Sequence, residues 1–553
     1  MNLTRRGFAA GALSASVAIQ LPSPAFAQQP AALGPAMDAI SAFAEAHMRR
    51  FALPGMTLGL TMPDGFSRVL NFGFANREAQ LSITDGTRFQ IGSISKVVAA
   101  ALLHQFAAEG KFALTDRVSA LLPGIPLPAA NVITVQHLLD HVAGLPADAP
   151  TFPDGGLWTA YPPGEHWHYS NTGYDILGKI AERVGGKPLD QLLDERLFTP
   201  LGMRRTRGAI IAVDRLLYAQ GYEAADPTIP FARGAPLAPA AWVDMVSAGG
   251  CIGSTADDMN RFMRSLANAA QGRGGLGLDA QHGKALTSHF VPSDTPGMSY
   301  GNGLMRVGGG GRSYLHHTGG MVSFSSSFHL DRASGVGAFA SATVGAFLEY
   351  RPRLLTSFAV DALTNAASGR PPPAPPSLIV PLPNPASYIG RYSGPAGAFQ
   401  VTPGEPLTLV AEGGESAALQ PWGGYSFRTT HLRFRRYALK FERTGGAITA
   451  VSWGPNTFVR EGSGAAQPVS DPALAKFAGR YVNDSPWIGA ARVVERGGRL
   501  WLGTETPLIP IGDNLWRLGQ ESWSPERASF ANFIDGRPQT FIFSGEKFLR
   551  HDV

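Results

Sequence analysis

Hydrophobic and polar positions divide the chain into a long first part of mixed pattern and a shorter last part whose pattern predicts strands. Helical spacing occurs in segments such as LDQLLDERLFTPLG and NTGYDILGKIAERVGG, with strand-like alternating runs between them. After residue 386 the helical patterns stop, and short β-branched and aromatic runs are separated by Gly and Asn. The pattern predicts an α/β or α+β domain followed by all-β structure.

The all-β part contains an internal repeat. YIGRYSG begins at Tyr388 and FAGRYVN begins at Phe477, 89 residues later (477 − 388). Farther on, GAITAVSWGPNTFVR and GRPQTFIFSGEKFLR align without a gap at a spacing of 90. We therefore predict two similar β domains, at 387–465 and 470–553. Closing each into an antiparallel barrel would remove exposed strand edges.

Two further segments have distinctive composition. Residues 368–386, SGRPPPAPPSLIVPLPNPA, are dense in proline and predict an extended linker. Residues 1–27 combine a twin-arginine pattern at 4–8, a weakly apolar stretch and a small-residue cleavage site at 25–27, and they predict a twin-arginine signal peptide. Residues 28–367 then form the large domain. The signal predicts export to the periplasm by the twin-arginine route. Since no other run is apolar and long enough to span a bilayer, we expect no membrane span in the mature chain.

Composition excludes several classes of protein. The 553 residues are 44% hydrophobic and 16% charged, which suits several domains with large cores. Removing the two arginines of the signal lowers the net charge from +5 to about +3 (5 − 2), too little and too dispersed for a nucleic-acid surface. The single Cys251 forbids an internal disulfide. Because its neighbours are small and apolar, it is predicted to be a buried structural thiol.

The segment GSISKVVAAALLHQFAAEG contains Ser93 and, three residues later, Lys96. It is apolar almost all round and predicts a buried helix that Gly110 ends. A serine at the start of such a helix lies at the positive end of the helix dipole, and the lysine projects from the same face one turn on. By themselves these residues also fit an N-cap serine and a snorkelling lysine. A second Ser-x-x-Lys, Ser544 to Lys547, lies in a predicted turn of the β repeat.

A serine nucleophile needs a base, and a lysine can serve if its pKa falls from about 10.4 towards neutrality. Burial beside another cation or a polarised phenol would supply that shift. Among the three Tyr-x-Asn triplets, only Tyr169-Ser170-Asn171 follows a Pro-Gly turn and precedes a new helix. Tyr169 is therefore the candidate phenol.

The last candidate element is YLHHTGGMVSFSSSFHLD, a strand-like run that contains the only His-x-Gly of the chain, at His317. Gly319 and Gly320 would let a substrate backbone approach the strand edge closely. The N–H groups of Gly320 and Ser93 are predicted to form an oxyanion hole.

Together and in this order, these motifs resemble the serine β-lactamase and penicillin-binding-protein superfamily, on its class C and D-aminopeptidase side. The resemblance covers roughly residues 35–365 and rests on GSISK, ITVQHLLDHVAGLP, PGEHWHYSNTGYDILGKIAE, SAGGCIGSTADDMNRFM and HTGG. The two β domains also resemble the D-aminopeptidase architecture, in which the catalytic domain precedes two eight-stranded barrels of lipocalin-like type.

The resemblance implies that Ser93 is the acyl-forming nucleophile and that Lys96 and Tyr169 are the proton-transfer pair. It also implies that Asn171 is a polar substrate contact. His317 stands where many relatives have a lysine before Thr-Gly. A neutral imidazole would hold a substrate carboxylate less well, so this departure argues against efficient β-lactam hydrolysis. No cofactor is implied.

The functional prediction is an exported serine hydrolase that cleaves an amide or ester of a small molecule or short peptide, most like a D-aminopeptidase. The alternatives are a carboxylesterase of the class C β-lactamase-like family, a β-lactamase or DD-peptidase, and a non-enzymatic ligand-binding or sensor protein whose barrels hold an apolar molecule. The two β domains are expected to narrow access to the cleft. A homodimer is compatible with the sequence.

The histidines also raise the question of a metal site. His166, His168, His316 and His317 lie in two close pairs, but no carboxylate completes a recognisable ligand set, so a metal site is disfavoured. The remaining histidines of interest, His137 and His141, are predicted to be hydrogen-bonded core or near-core residues.

Overall fold

The computed structural model describes residues 33–152, 156–345, 350–379 and 381–551. The predicted signal peptide at 1–27 lies outside the described residues. The chain forms an α/β domain built on one nine-stranded antiparallel sheet, followed by two all-β units. This confirms the predicted fold class. Within the described ranges, no helix has both the length and the apolar character needed to cross a membrane.

The helices of the α/β domain are mostly short. They are α1 (Gly34–Phe51), α2 (Ser95–Ala108), α3 (Val118–Leu121), α4 (Val135–Leu139), α5 (Asn171–Gly185), α6 (Leu189–Leu193), α7 (Thr199–Leu201), α8 (Ala256–Ala270), α9 (Ala280–Ser288) and α10 (Arg353–Ala367).

The strands of this domain are β1 (Gly55–Thr61), β2 (Ser67–Asn76), β3 (Leu81–Ser82), β4 (Phe89–Gln90), β5 (Tyr222–Ala224), β6 (Leu237–Pro239), β7 (Gly253–Ser254), β8 (Val291–Pro292), β9 (Met298–Gly301), β10 (Leu304–Gly309), β11 (Arg312–Gly320), β12 (Ser325–Asp331) and β13 (Gly337–Ala342). The main sheet has the order β3-β2-β1-β13-β12-β11-β10-β9-β8.

Both faces of the main sheet are covered by helices. Along β1, Met56, Leu58 and Leu60 belong to the apolar cluster that contains α1 and α10. The opposite face of β1 meets α8, because Gly59 lies against Asn260. This period of two along a fully buried strand is what a sheet between two helical layers requires.

Helix α2 is the centre of the second helical layer. Every residue from Ser95 to Phe106 is buried, as the apolar pattern predicts. The helix ends at Ala108, and Gly110 follows with φ +73°, a left-handed conformation that favours glycine. A short 3₁₀ turn, Gly92–Ile94, leads into the helix from β4.

The first all-β unit is a nine-stranded sheet. Its strands are β14 (Gly390–Gly394), β15 (Gly397–Thr402), β16 (Thr408–Ala411), β17 (Ser416–Ala418), β18 (Gln420–Gly423), β19 (Ser426–Arg428), β20 (Leu439–Thr444), β21 (Ala447–Trp453) and β22 (Asn456–Arg460). The two end strands, β17 and β18, are separated by Leu419 alone. The chain itself therefore joins the two ends of the sheet.

The second all-β unit, called the second barrel below, is a closed eight-stranded barrel. It contains α11 (Pro472–Ala475), β23 (Gly479–Val482), β24 (Ala490–Glu495), β25 (Leu500–Leu502), β26 (Thr506–Gly512), β27 (Leu515–Leu518), β28 (Arg527–Ile534), β29 (Arg537–Phe543) and β30 (Glu546–Arg550). Its interior is filled by aromatic and aliphatic side chains such as Tyr481, Phe530 and Phe541.

The sequence repeat is visible as repeated contacts. The Tyr392 hydroxyl donates to the Tyr388 carbonyl at 2.7 Å, and the Tyr481 hydroxyl donates to the Phe477 carbonyl at 2.8 Å. Tyr481 is thus a structural residue of the barrel. Ser544 lies between β29 and β30 with φ 45°, which agrees with its predicted position in a turn.

Strand β11 runs past the turn that precedes α2. Its pairing with β10 covers Arg312 to His316, and beyond that point the turn Gly92–Ile94 packs against it. A Cβ atom on Gly319 would lie 1.8 Å from the Ile91 carbonyl oxygen. The glycine at 319 is therefore required by a backbone-to-backbone contact.

We predict that Gly319→Ala destabilises the α/β domain by about 1–3 kcal/mol, because backbone atoms have to move to admit the methyl group. The matched control is Gly308→Ala on β10, where a Cβ would meet only the Arg312 carbonyl at 3.8 Å. Calorimetric unfolding of both variants checks this. Equal transition temperatures for the two variants would contradict it.

Candidate active site

The candidate residues come from three places in the α/β domain. Ser93 lies in the 3₁₀ turn before α2, and Lys96 lies in the first turn of that helix. Tyr169 and Asn171 lie at the start of α5, whose N-cap is Ser170 with its hydroxyl accepting from the Gly173 N–H at 3.0 Å. Gly320 ends β11. The N-cap interpretation of Ser93 is wrong, since α2 starts at Ser95 and no side chain caps it.

The amine of Lys96 is fully buried and has three oxygen neighbours. Its Nζ lies 3.3 Å from Ser93 Oγ, 2.5 Å from Asn171 Oδ1 and 2.7 Å from the Gly249 carbonyl oxygen. A neutral amine keeps two N–H donors for the amide and the carbonyl, and its lone pair then faces the serine hydroxyl. The contacts thus fit an amine that accepts a proton from Ser93.

The pKa of Lys96 is lowered from 10.5 to about 7, because burial disfavours the charged ammonium. Two nearby carboxylates, Asp148 and Asp175, act in the opposite direction and keep the pKa from falling further. Near neutral pH a substantial fraction of Lys96 is therefore the free base that a serine nucleophile needs.

Tyr169 is hydrogen-bonded to Ser93, and its ring centroid lies 4.8 Å from Lys96 Nζ. Burial raises the pKa of Tyr169 above its usual value, and the hydrogen bond to Ser93 only partly offsets this. The phenol is consequently protonated at neutral pH. This arrangement allows the lysine to act as a base and the tyrosine to act as a proton donor.

His317 is 1% exposed, and both of its ring nitrogens have partners. Nδ1 lies 2.6 Å from the Thr318 carbonyl oxygen and must carry the proton, so Nε2 accepts, from the Tyr300 hydroxyl at 3.3 Å. Burial and the nearby Lys96 lower the pKa of His317 to about 3. The imidazole is therefore neutral. A neutral imidazole is also the state assumed from the sequence at this position, where many relatives have a lysine.

The His317 ring lies beside the Tyr169 ring, with their centroids 6.4 Å apart. The same layer contains His141, whose Nδ1 accepts from the Ser170 N–H at 3.1 Å and whose Nε2 lies 3.1 Å from the Tyr300 hydroxyl. His141 is thus a hydrogen-bonded core residue, as predicted. His141 and His317 thus both lie beside the Tyr169 ring, with centroid distances of 4.4 and 6.4 Å.

A cavity of about 190 Å³ lies beside Ser93, Asn171 and Gly320. Residues Trp487, Ile488 and Glu546 of the second barrel form part of its wall. The second barrel thus contributes to the wall of this cavity, and the narrowing of access by both β domains stays a prediction. His317 is not among the described residues that line it.

Three carboxylates line the cavity, and only structure reveals them as a group. Asp148 accepts from Asn171 Nδ2 at 2.7 Å, and Asp175 accepts from Ser247 Oγ at 2.5 Å. Burial raises the pKa of both aspartates, and burial also raises that of Glu546. Asp175 lies one helical turn after Asn171, so the spacing on α5 is a sequence signal for it.

The histidines of the two sequence pairs, 166 with 168 and 316 with 317, each contact a different partner. His166 stacks on Trp523 with centroids 4.7 Å apart, and His168 lies 3.0 Å from Glu526. His316 stacks on His329, with centroids 3.9 Å apart. Among the described ranges, no group of three or more His, Cys, Asp or Glu side chains could hold a metal ion.

Cys251 is buried and donates to the Gly208 carbonyl.

The family model for β-lactamases matches residues 40–356, which is more than half of the chain. The chain belongs to the β-lactamase family. It is therefore a member of a fold family of serine hydrolases, and the residues around Ser93 occupy the matched region.

Relatives of this β-lactamase-family protein include a β-lactamase of Pseudomonas fluorescens, 30% identical over 198 residues, which are 34% of this chain and 55% of that protein. The matches thus span about half the length of the curated relatives. The penicillin-binding protein homologue of Pyrococcus abyssi, described as octameric, has a TM-score of 0.55 at 21% identity and covers 77% of this chain and 100% of its own. The D-amino acid amidase of Ochrobactrum anthropi SV3 has a TM-score of 0.51 at 23% identity and covers 60% and 99%. These structural similarities show the fold.

We predict that the rate of Ser93 acylation by an uncharged ester rises about tenfold per pH unit below an inflection near pH 7 and is level above it. The reason is that the base form of Lys96 appears as pH rises through its lowered pKa. Stopped-flow acylation kinetics check this. A Lys96→Arg variant, which cannot lose its proton, should be inactive at every pH. An inflection near the usual lysine value would refute the assignment.

Proposed function

We propose that this protein is an exported serine hydrolase of D-aminopeptidase-like specificity, which cleaves an amide or ester next to a free ammonium group. The observation that carries the specificity is the charge of the cavity beside Ser93. Asp148, Asp175 and Glu546 line it, and neither Lys nor Arg is among the described residues of its wall. Export is proposed from the twin-arginine segment of the sequence.

In the proposed reaction, Ser93 Oγ attacks the substrate carbonyl and its proton passes to the neutral amine of Lys96. The N–H groups of Ser93 and Gly320 hold the developing oxyanion. As the bond to the leaving group breaks, Tyr169 carries a proton to that group and is reprotonated from Lys96. Water then cleaves the acyl-enzyme by the same steps in reverse order.

The charge of the cavity disfavours the substrates of the rival functions. β-Lactams and the peptides that DD-peptidases cleave present a carboxylate, which three acidic side chains repel. His317 offers no compensating cation, because it is neutral and both ring nitrogens are engaged. The volume of about 190 Å³ is also below the roughly 300–1,000 Å³ of typical ligand pockets, which favours a short acyl group.

A substrate ammonium would gain from the same groups. Burial raises the pKa of Asp148, Asp175 and Glu546 because it disfavours their charged forms, and a substrate ammonium beside them would stabilise those charged forms. The hydrogen bonds from Asn171 to Asp148 and from Ser247 to Asp175 fix two of these carboxylates in position.

The nucleophile is tested with an active-site phosphonate probe. The wild-type protein should be labelled at Ser93, as seen by mass spectrometry of the digest, and Ser93→Ala should lose all labelling. Ser544→Ala is the matched control, because Ser544 belongs to the other Ser-x-x-Lys of the chain and is not the proposed nucleophile, so this variant should still carry the label on Ser93. Persistent labelling of Ser93→Ala would overturn the serine-hydrolase assignment.

The substrate class is tested with p-nitroanilides of D- and L-amino acids beside their N-acetyl counterparts, in which a neutral acetamide replaces the ammonium. The free amines should be the better substrates by about tenfold or more in kcat/KM, since one ion pair of about 1.4 kcal/mol gives that ratio. Asp148→Asn should remove much of this preference and should affect a neutral acetate ester less. Equal rates for free and acetylated anilides would reject the ammonium site and favour an esterase.

A penicillin provides the third arm of the same test. Stable acylation of Ser93 by a penicillin, seen as a mass increase, together with no hydrolysis of the free-amine anilides, would favour a β-lactamase or DD-peptidase.

A further inference from the structure

One loop of the second barrel lies directly on the segment of the α/β domain that leads into α5. The loop is 519–526, between β27 and β28. Trp523 stacks on His166 with an angle of 10° between the rings, and Trp158 Nε1 donates to the Pro525 carbonyl at 2.9 Å. The ring stacking and this partly buried hydrogen bond hold the loop against the segment.

At the end of this loop, the carboxylate of Glu526 enters the α/β domain. Its Oε1 accepts from the Ala147 N–H at 2.7 Å and lies 3.0 Å from His168 Nε2, while Ser544 Oγ donates to its Oε2 at 2.5 Å. The side chain of Glu526 is 14% exposed. Burial acts to raise its pKa, but the hydrogen bonds from His168, Ser544 and Ala147 outweigh burial, and the pKa is lowered. Glu526 is therefore ionised at neutral pH.

Two hydrogen-bond partners of Glu526, Ala147 and His168, lie next to the candidate active site. The Ala147 carbonyl accepts from the backbone N–H groups of Asn171 at 2.7 Å and Thr172 at 3.2 Å. Asn171 in turn accepts from Lys96 at 2.5 Å. On the other side, His168 directly precedes Tyr169 in the chain.

A single oxygen atom of the second barrel, Glu526 Oε1, thus contacts both the Ala147 backbone and the His168 ring. The Ala147 peptide lies between Glu526 on its N–H side and α5 on its carbonyl side, so movement of the carboxylate would move the start of α5. The same carboxylate orients the His168 ring and hence the backbone that carries the Tyr169 phenol. Neither contact involves the cavity or a substrate.

We propose that Glu526 is a positioning residue through which the second barrel sets the active-site geometry around Lys96 and Tyr169. The inference rests on the proposed function, because it concerns how that site is held. It gives the second barrel a role in the rate of acylation that is separate from its contribution to the cavity wall through Trp487, Ile488 and Glu546.

The test compares Glu526→Ala, Glu526→Gln and Glu526→Asp with the wild type in the full chain. The readouts are the second-order rate of Ser93 labelling by the phosphonate probe, its pH inflection, and the thermal midpoint. Removing the carboxylate leaves the Ala147 N–H and His168 without their acceptor, so Glu526→Ala should label about tenfold to a hundredfold more slowly. Looser packing around Lys96 should move the inflection from about 7 towards higher pH.

The conservative variants separate positioning from folding. Glu526→Gln keeps an oxygen acceptor at the same length and should recover most of the rate. Glu526→Asp keeps the negative charge, but its side chain is one methylene shorter and does not reach both partners. Its labelling rate should therefore stay low. This variant also serves if Glu526→Ala fails to fold.

The matched control is Glu495→Ala. Glu495 is another buried carboxylate of the second barrel, and it accepts from the Asp471 N–H at 3.1 Å and the Gly498 N–H at 2.8 Å, all within the C-terminal region. It should lower the thermal midpoint and leave the labelling rate and the inflection unchanged. The inference would be overturned if Glu495→Ala slowed labelling as much as Glu526→Ala does. It would also be overturned if Glu526→Ala and Glu526→Asp kept the wild-type rate and inflection. In both cases, labelling of the wild type at Ser93 would still support the proposed function. If the wild type itself is not labelled at Ser93, the proposed function and this inference both fail.

Discussion

The burial of one amine is the constraint on which the site depends. Lys96 lies in a helix that is buried on all sides, and the hydrogen-bond partners of its Nζ among the described residues are all neutral oxygen atoms: a hydroxyl, an amide and a carbonyl. Neutral partners solvate an ammonium incompletely, so burial lowers its pKa. A carboxylate in direct contact would restore the charge and remove the base. Asp148 and Asp175 act only from beyond this inner ring of partners, where they moderate the shift without abolishing it.

The surrounding structure serves to maintain that ring of neutral oxygen atoms. Asn171 reaches Lys96 because Ser170 caps α5 and the Ala147 carbonyl accepts from the first N–H groups of the helix. The Gly249 carbonyl is held through Ser247, whose hydroxyl accepts from the Gly249 N–H at 2.9 Å and donates to Asp175. Asp175 thus contributes to the site in two ways, through its charge and through its hydrogen bond. The second barrel adds the outermost contact through Glu526.

The sequence predicted features that short motifs and periodicity encode, and it did not reveal contacts between segments that are far apart in the chain. The buried helix, the positions of Ser93, Lys96 and Tyr169, and the repeated β units all follow from short motifs or from periodicity. The exact start of α2 did not, because a 3₁₀ turn and a helical turn have nearly the same pattern. Asp175 was accessible in principle from its spacing to Asn171. Glu526 and Glu546 were not, since more than 200 residues separate them from the parts of the α/β domain that they meet, and no local pattern encodes that contact.

The charges of the cavity and the pKa of the base are coupled under the proposed function. Asp148 and Asp175 favour the ammonium form of Lys96, which is the inactive form in the proposed reaction. An ammonium group of a substrate bound beside these carboxylates would offset their charge and, as a like charge, would itself disfavour protonation of Lys96. Binding of the correct substrate would therefore increase the fraction of free base at the moment it is needed. A neutral or anionic substrate would not, so the acidic cavity would select for cations through the rate of acylation as well as through affinity.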